Sequence, residues 1–342
     1  MKITTKTYPS RLGDITTYTI VNDNGSSVEL SSLGAGILKV NVPDRYGKIE
    51  NVALGYANPE DYIDDGPCMG KIPGRYANRI AGGRMSIDGV DHELAVNNGP
   101  NHLHGGPTGF QNRIWDSCII SDGVRFTYQS ADGEEGYPGN LKVTAEYRWT
   151  ERNKLLLTLH AETDRTTVVN LTNHAYWNLR GANSGSVLGH ELKINASRWL
   201  PTDSTLIPTG ELAPVIGTPM NFLRKHPIGA FIRANFPALI YGKGYDNCWV
   251  LDGEEAVVRW DRESGRMMTV STNQPGVQVY TGNWLAGAPV NTAGDRYLDY
   301  DGVAIEAQGF PDAPNRPSFP SQLLHPGETY ERYISFKFSL KA

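Results

Sequence analysis

The sequence predicts an all-β fold: a single large antiparallel β-sandwich that occupies residues 1–342 and carries a few short helices. Asp-Gly and Asn-Gly turn signals recur along the chain, and segments rich in β-branched and aromatic residues lie between them. No alternation of strand and helix patterns is visible, which disfavours a parallel α/β fold. No linker-like shift in composition divides the chain, so we expect one domain.

The clearest hairpins are predicted where Asp88-Gly89 and Asp122-Gly123 separate segments with alternating apolar residues. Type I′ turns need a positive φ angle at both central residues, and Asp-Gly pairs tolerate this conformation. Longer segments are predicted to be strands because they are rich in β-branched or aromatic residues and are bounded by Gly, Pro, Asn or Asp. They are residues 141–149, 154–162, 267–272, 277–281 and 330–340.

Helical signals are few. Asn58 followed by Pro59 is typical of a helix start, and it predicts a short helical turn through Tyr62. A second helix of about three turns is predicted where four apolar residues share one face. These residues are Ile228, Phe231, Ile232 and Phe236.

Composition excludes several classes of function. Hydrophobic residues make up 39% and charged residues 20% of the 342 residues, which is ordinary for a globular protein. The formal net charge of −5 and the lack of a basic run argue against nucleic acid as a partner. The chain has no apolar window near about 18 residues and its start has no secretory signal, so we expect no membrane span and no export.

The cysteines indicate a reducing compartment. Cys68, Cys118 and Cys248 are odd in number, widely separated and outside any CxxC motif. We therefore expect free thiols and a cytoplasmic location.

A histidine among hydrogen-bonding side chains is the first candidate for acid/base chemistry. His174 shares its segment with Asn170, Thr172, Asn173 and Asn178. Such neighbours can fix one imidazole tautomer, which a proton donor needs. The alternative is a buried strand end whose polar side chains only satisfy a turn.

A lone carboxylate is the second candidate. Glu306 lies in the otherwise apolar segment 303–307, where burial of an unpaired charge is costly. This setting indicates either a catalytic role or a structural ion pair.

His102 and His104 form an HxH pair ahead of two glycines. Alternate residues of a strand share a face, so the pair could chelate a metal, but no third ligand is indicated nearby. We expect no metal and favour a ligand-facing His104, because Gly105 and Gly106 would let a ligand approach the backbone.

Three further segments contain side chains suited to hydroxyl groups. Arg75, Asn78 and Arg79 lie between glycines in residues 74–83, where a solvated turn is an equal alternative. Asp246 lies between aromatic residues, although its local sequence also suits a turn. Gln278 shares a strand face with Tyr280.

Taken together, these segments resemble the aldose 1-epimerase (galactose mutarotase) family. The matching motifs follow one another along nearly the whole chain, and eight in order are highly specific. They are GRYANRIAGG at 74–83, NHLHGG at 101–106, DGEEGYPG at 132–139, NLTNHAYWNL at 170–179, PTDSTLIPTGE at 201–211, GYDNCW at 244–249, QPGVQVYTGNW at 274–284 and EAQGFPDAPNRPSFP at 306–320.

The resemblance implies a galactose mutarotase-like supersandwich and a cofactor-free enzyme that interconverts the α and β anomers of free aldohexoses such as galactose and glucose. Glu306 would be the general base that removes the C1 hydroxyl proton, and His174 the general acid that protonates the ring oxygen. An unperturbed glutamate is ionised near neutral pH, and a histidine is easily tuned to donate a proton.

The remaining site residues are implied by the same motifs. His104 would assist at the ring oxygen. Arg79, Asp246 and Gln278 would hold hydroxyl groups, with Asn78 as an accessory. Trp177 stands where the family commonly has Phe or Tyr, and the sequence leaves open whether it contributes to the pocket wall.

Three other functions are compatible with parts of the pattern. A glycoside hydrolase would use Glu306 and Asp246 as its two carboxylates, about 5–5.5 or about 6.5–9.5 Å apart, but His174 would then have no task. A carbohydrate-binding module would need no Glu–His pair. A hexose-6-phosphate mutarotase, the nearest alternative, should have additional cations in its pocket. The sequence indicates neither the preferred aldose nor whether the protein is a monomer or a homodimer.

Overall fold

The structure is a computed structural model that describes residues 1–341, and β-strands dominate it. In chain order, the strands are β1 Lys2–Tyr8, β2 Ile15–Val21, β3 Ser27–Ser31, β4 Gly36–Pro43, β5 Ile49–Asn51, β6 Arg79–Ile80, β7 Arg84–Ile87, β8 Val90–Glu93, β9 His102–Leu103, β10 Asp116–Ile120, β11 Gly123–Ser130, β12 Leu141–Trp149, β13 Lys154–Thr163, β14 Thr167–Val168, β15 Tyr176–Trp177, β16 Glu191–Ile194, β17 Arg198–Trp199, β18 Ala213–Pro214, β19 His226–Pro227, β20 Asp246–Val250, β21 Glu255–Trp260, β22 Arg266–Thr272, β23 Gly276–Tyr280, β24 Val303–Gln308, β25 Leu323–Leu324 and β26 Tyr330–Leu340.

Helical structure is limited to short pieces within the described residues. The α-helix α1 spans Pro237–Gly242. The 3₁₀ turns are Pro59–Tyr62, Ala81–Gly83, Phe110–Asn112, Glu134–Gly136, Ile228–Ala230 and Ala313–Asn315. None of these helices is long and apolar enough to cross a bilayer.

Three large sheets organise the strands. A five-stranded sheet has the order β1-β2-β3-β4-β5, and a nine-stranded sheet has the order β10-β11-β12-β13-β26-β22-β21-β16-β19. A six-stranded sheet has the order β15-β24-β23-β20-β17-β18. Neighbouring strands in these sheets are antiparallel. The predicted antiparallel all-β class is confirmed.

The main core lies between these sheets. Along β12, buried residues alternate with more exposed ones, because successive side chains of a strand point to opposite faces. The largest buried apolar cluster combines Ile20 of β2, Leu157 of β13 and Ile305 of β24. All three sheets therefore share one apolar interior.

The two predicted hairpins form, but their turns differ. Asp88 and Gly89 have φ angles of 52° and 78°, as a type I′ turn requires, and they join β7 to β8. In the second hairpin, Ile120 pairs with Gly123, so the central residues are Ser121 and Asp122. The prediction of a turn centred on Asp122-Gly123 is wrong by one residue, because Gly123 already belongs to β11.

The predicted helix over Ile228 to Phe236 is wrong. A 3₁₀ turn over Ile228–Ala230 ends at Phe231, whose φ and ψ of −128° and 7° are not helical. Pro237 then restricts the preceding residue, and Phe236 is extended with φ −133° and ψ 127°. The α-helix can begin only at Pro237, which has no N–H to lose at a first helical position. The 3₁₀ turn predicted from Pro59 is present.

Candidate active site

The six-stranded sheet carries one side of the site. Glu306 on β24 lies directly opposite Gln278 on β23, and Asp246 opens β20 opposite Tyr280. Glu306 is 2% exposed and is surrounded on its own strand by buried residues. Because antiparallel pairing fixes register, these three strands bring residues from distant parts of the chain onto one face.

His174 comes from a loop that crosses this face between β14 and β15. Backbone hydrogen bonds hold it on both sides, since its N–H donates to the carbonyl oxygen of Lys71 at 2.9 Å and its carbonyl accepts from Gly70 N–H at 3.0 Å. The amide of Asn173 adds a bond from Nδ2 to the Gly70 carbonyl at 2.7 Å. The asparagine-rich segment therefore fixes the loop, while the imidazole itself faces the site.

The short pair β6–β9 provides the other side of the site. Arg79 pairs with Leu103, so His104 follows the strand next to Asn78. His104 N–H donates to the Asn78 carbonyl oxygen at 3.0 Å, and Asn78 N–H donates to Nδ1 of His104 at 3.1 Å. Since Nδ1 accepts this bond, the proton of the neutral ring lies on Nε2. His104 is thus fixed as a hydrogen-bond donor.

His104, His174 and Glu306 meet at the centre of the site. Nε2 of His174 lies 3.4 Å from Oε1 of Glu306. The imidazole rings of His104 and His174 are edge to face, with centroids 5.2 Å apart. Two rings and one carboxylate are therefore close enough to act on neighbouring oxygens of one small molecule.

Burial shifts the pKa values of these groups toward their uncharged forms. Desolvation lowers the pKa of His174 to about 4. It raises the pKa of Glu306 well above its usual range, with Asp246 adding to the rise and Arg79 opposing it. Burial and the charges of His174 and Arg79 also lower the pKa of His104 well below its usual value. Burial of Glu306 therefore opposes the ionised form that an unperturbed glutamate has near neutral pH.

Asp246 is held by two partners. Gln278 Nε2 donates to its Oδ1 at 2.7 Å, and Arg79 Nη2 lies 3.5 Å from its Oδ2. Nε of Arg79 in turn donates to Oδ1 of Asn98 at 3.0 Å. These contacts fix the carboxylate and the guanidinium as a pair of opposite charge, which suits binding of hydroxyl groups that both donate and accept.

One cavity of about 800 Å³ brings most of the predicted site residues together. Those that line it are Asn78, Arg79, His104, His174, Asp246 and Glu306. Gln278 is 3% exposed and lies outside this lining, behind Asp246. Because its amide is bonded to Asp246, Gln278 supports that carboxylate in this arrangement, whereas the motif implied direct contact with hydroxyls.

The sequence profile of the aldose 1-epimerase family matches residues 16–337. The galactose mutarotase of Bos taurus is 42% identical over 317 residues, which cover 92% of this chain and 91% of the relative. The aldose 1-epimerase of Escherichia coli K12 is 37% identical over 328 residues, which cover 94% of each chain. The chain belongs to the aldose 1-epimerase family. The resemblance drawn from eight motifs is confirmed.

Solved structures of this family have the same fold. An aldose epimerase homologue from C. elegans superimposes with a TM-score of 0.88 at 30% identity, covering 95% of this chain and 98% of that one. A galactose 1-epimerase from Lactobacillus acidophilus NCFM has a TM-score of 0.88 at 29% identity, covering 100% and 99% of the two chains. The predicted mutarotase-like β-sandwich is confirmed.

Several cavity residues were not predicted from the sequence. Tyr176 and Tyr280 line the cavity with their rings 5.9 Å apart, and both pack near His174. Trp284 lines the outer part and is 64% exposed. Tyr176, Tyr280 and Trp284 all stand inside family motifs, so their position in a motif was the available signal.

Trp177 does not belong to the pocket wall. It is fully buried and packs against Phe336 and Phe338, with ring centroids 5.0 and 5.4 Å away. Because β15 alternates its faces, Tyr176 points to the cavity and Trp177 to the core. Trp177 therefore lies in the core and outside the cavity lining, which answers the question that the sequence left open.

The HxH pair does not act as a chelating pair. His102 is buried, and its two ring nitrogens are 2.7 Å from the Ala95 carbonyl oxygen and 2.6 Å from the Tyr137 hydroxyl. His102 is therefore a structural residue that supports the turn before β9, and only His104 faces the cavity.

A different set of donors could hold a metal ion. His104, His174 and Glu306 each offer one ligand atom, and these atoms lie within 4.8 Å of one another. A metal on Nε2 of His104 would require a proton on Nδ1, and that proton would oppose the N–H of Asn78. Histidines that bind metals usually donate from their second nitrogen, whereas this one accepts. The arrangement fits a hydrogen-bond donor better than a metal ligand.

Proposed function

We propose that this member of the aldose 1-epimerase family interconverts the α and β anomers of free aldohexoses such as galactose and glucose. The observation that carries the proposal is the buried contact between His174 and Glu306, 3.4 Å apart, on the floor of a cavity of about 800 Å³. A paired proton donor and acceptor is what ring opening needs, because one oxygen of the sugar must lose a proton while another gains one.

The reaction assigned to the pair has balanced proton transfers. Glu306 removes the proton of the C1 hydroxyl, and His174 gives a proton to the ring oxygen as the C1–O5 bond breaks. Rotation about the C1–C2 bond turns the other face of the aldehyde toward the ring hydroxyl. The reversed transfers then close the ring and restore the protonation of both side chains. Each positioned acid or base contributes about 10²–10⁴-fold to the rate.

The directions of the pKa shifts favour a proton transfer within the pair before ring opening. Desolvation favours the neutral pair, with a proton on Glu306 and none on Nε2 of His174. Transfer of that proton across the 3.4 Å contact forms the carboxylate and the imidazolium without changing the net charge. Hydroxyl groups of a bound sugar stabilise both charged forms by hydrogen bonds, so substrate binding favours the reactive state.

The other side chains are assigned to binding. His104 donates from Nε2 toward the ring oxygen, because its Nδ1 accepts from Asn78 N–H. Arg79 and Asp246 bind hydroxyl groups, with Asn78 as an accessory. Gln278 orients Asp246, as its 2.7 Å bond to that carboxylate supports.

The cavity favours a free sugar over a phosphorylated one. Among the described residues that line it, Arg79 is the one lysine or arginine side chain, and Asp246 lies against it. A phosphate group would need additional cations or several N–H donors.

We also propose a cytoplasmic location, which the three free cysteines support.

Polarimetry tests the proposed function directly. Purified protein is added to freshly dissolved α-D-galactose, α-D-glucose, D-xylose or L-arabinose, and the approach to anomeric equilibrium is followed against the spontaneous rate. We expect acceleration with at least one aldohexose, and no release of nitrophenol from nitrophenyl glycosides. Sugar binding without acceleration would instead indicate a carbohydrate-binding module, and glycoside cleavage would indicate a hydrolase.

A further inference from the structure

Asn170 lies outside the cavity, yet its side chain connects the chain segments that form it. The residue is fully buried and stands in the same loop as His174. Its Oδ1 accepts a hydrogen bond from Gly309 N–H at 2.7 Å. Its Nδ2 donates to the carbonyl oxygen of Ala77 at 3.0 Å, with a longer contact of 3.5 Å to the Gly309 carbonyl.

Each of these bonds reaches a segment that carries a site residue. Ala77 directly precedes Asn78, whose N–H fixes the tautomer of His104. Gly309 follows the end of β24, the strand of Glu306. The backbone of Asn170 strengthens the first connection, because its carbonyl accepts from Ala77 N–H at 2.7 Å. One side chain thus joins the loop of the acid, the strand of the base and the segment of the ring-oxygen donor.

We infer that Asn170 is a positioning residue, which sets the distance between His174 and Glu306; the inference rests on the proposed function. An amide has a donor and an acceptor at fixed positions, so it holds Gly309 N–H and the Ala77 carbonyl in one relative placement. Truncation leaves both backbone groups buried without partners, and the segments must shift to satisfy them. Proton transfer is sensitive to such shifts, since a displacement of about 1 Å can cost about 10²-fold in rate.

Asn22 offers a matched control. It is also buried, at 4% exposure, and its amide bonds two groups of a distant turn. Nδ2 donates to the Thr150 carbonyl oxygen at 3.1 Å and to Oδ1 of Asn153 at 2.9 Å. Neither partner lines the cavity, so its truncation tests loss of a buried amide without movement of the site.

The experiment compares Asn170→Ala and Asn170→Ser with Asn22→Ala by polarimetry, at a temperature well below each unfolding midpoint. We expect both Asn170 variants to lower kcat by at least about tenfold with less than about threefold change in KM, and Asn22→Ala to keep kcat while its unfolding midpoint falls. The serine variant keeps a small polar group and leaves less empty volume. It therefore provides the kcat measurement if the alanine variant does not fold.

A second measurement distinguishes a positioning role of Asn170 from a general loss of structural integrity. If Asn170 acts through the pair, Asn170→Ala should cost less than about threefold in a Glu306→Gln background, because the base it positions is already gone. An equal loss in both backgrounds, or retention of more than about half of the wild-type kcat by both Asn170 variants, would overturn the inference. A wild-type protein that does not accelerate anomerisation would contradict the proposed function itself, which keeps the two failures distinct.

Discussion

Burial lowers the pKa of His174 and raises that of Glu306, so it disfavours both the imidazolium and the carboxylate and favours one exchangeable proton on the pair. In the proposed reaction, ring opening leaves the same neutral pair behind, since Glu306 has then gained the O1 proton and His174 has given a proton to the ring oxygen. Burial therefore favours the same protonation of the pair from which the proposed ring closure starts. This equivalence suits an enzyme that must process both anomers through one intermediate.

The roles of the pair are tested by near-isosteric substitutions. Glu306→Gln removes the proposed base and keeps its volume, and His174→Asn keeps a hydrogen-bonding group but removes the proposed acid. Each should lower kcat by at least about 10²-fold, and the double variant should lose less than the product, because the two groups act as a unit. Polarimetric kcat is measured on variants whose circular dichroism matches the wild type. Retention of more than about a tenth of kcat by Glu306→Gln would reassign the base, with Asp246 as the next candidate.

The tautomer of His104 leads to a prediction about metals. Since Nδ1 accepts from Asn78 N–H, Nε2 carries the proton and opposes a metal ion. Dialysis of the protein against a strong chelator should leave the anomerisation rate unchanged. If activity fell and a divalent ion restored it, the donor set of His104, His174 and Glu306 would have to be a metal site.

At the scale of elements, the turn after β9 decides where His104 points. Gly105 has φ of +79°, and a Cβ there would lie 1.8 Å from the carbonyl oxygen of Gly74. Gly89 has φ of +78°, and a Cβ there would meet no atom within 4 Å, so it isolates the cost of the backbone conformation alone. We expect Gly89→Ala to cost about 1 kcal/mol of stability with full activity. Gly105→Ala should cost more and lower kcat at least about tenfold, because His104 is displaced.

Unfolding midpoints and polarimetric rates of the two alanine variants check this expectation. Equal stability losses, or full activity in Gly105→Ala, would show that the close approach of Gly105 to Gly74 does not hold His104 in place.

The sequence predicted elements well where local chemistry decides them. Residues 141–149 and 330–340 match β12 and β26 because their β-branched and aromatic residues face a shared core. The prediction of a helix around Phe231 was wrong, because it used only the spacing of apolar residues. That spacing carries no information on Pro237, which holds Phe236 extended. The pattern of apolar residues indicates which face of a strand or helix would be buried. The geometry of a turn depends instead on backbone angles that neighbouring segments impose.

The sequence predicted which residues belong to the site, but it did not predict their arrangement in space. The motifs named six of the side chains that line the cavity, but the position of Gln278 behind Asp246 follows from the pairing of β20, β23 and β24. The raised pKa of Glu306 likewise depends on burial by several segments. Neither property has a local sequence signature.

On the scale of the whole molecule, we propose that the chain folds as one domain. The apolar cluster that includes Ile20, Leu157 and Ile305 draws on all three large sheets, which supports a common interior. The site depends on the same assembly, because Arg79, Asp246 and Glu306 come from separate regions of the chain. Their charges act on one another only when those regions are packed together.

The pH dependence of activity tests this long-range arrangement. Since the reactive pair carries one proton, kcat/KM should be bell-shaped, with the acid limb near pH 4, where His174 gains a further proton. The alkaline limb should follow loss of the shared proton, governed by the raised pKa of Glu306. Asp246 raises the pKa of both groups, so Asp246→Asn should move both limbs to lower pH. Arg79 lowers the pKa of Glu306, so Arg79→Gln should move the alkaline limb to higher pH.

The profiles are measured by polarimetry, and the spontaneous rate is subtracted at each pH. A high enzyme concentration is used because both variants also lose substrate contacts. Asp91→Asn is the matched control: it removes the same charge from an exposed position on the β7–β8 hairpin and should leave both limbs in place. Opposite shifts for Asp246→Asn and Arg79→Gln are expected from the sign of the removed charges. Limbs that stayed fixed in both variants, or moved in the same direction, would mean that these two charges do not set the protonation of the pair.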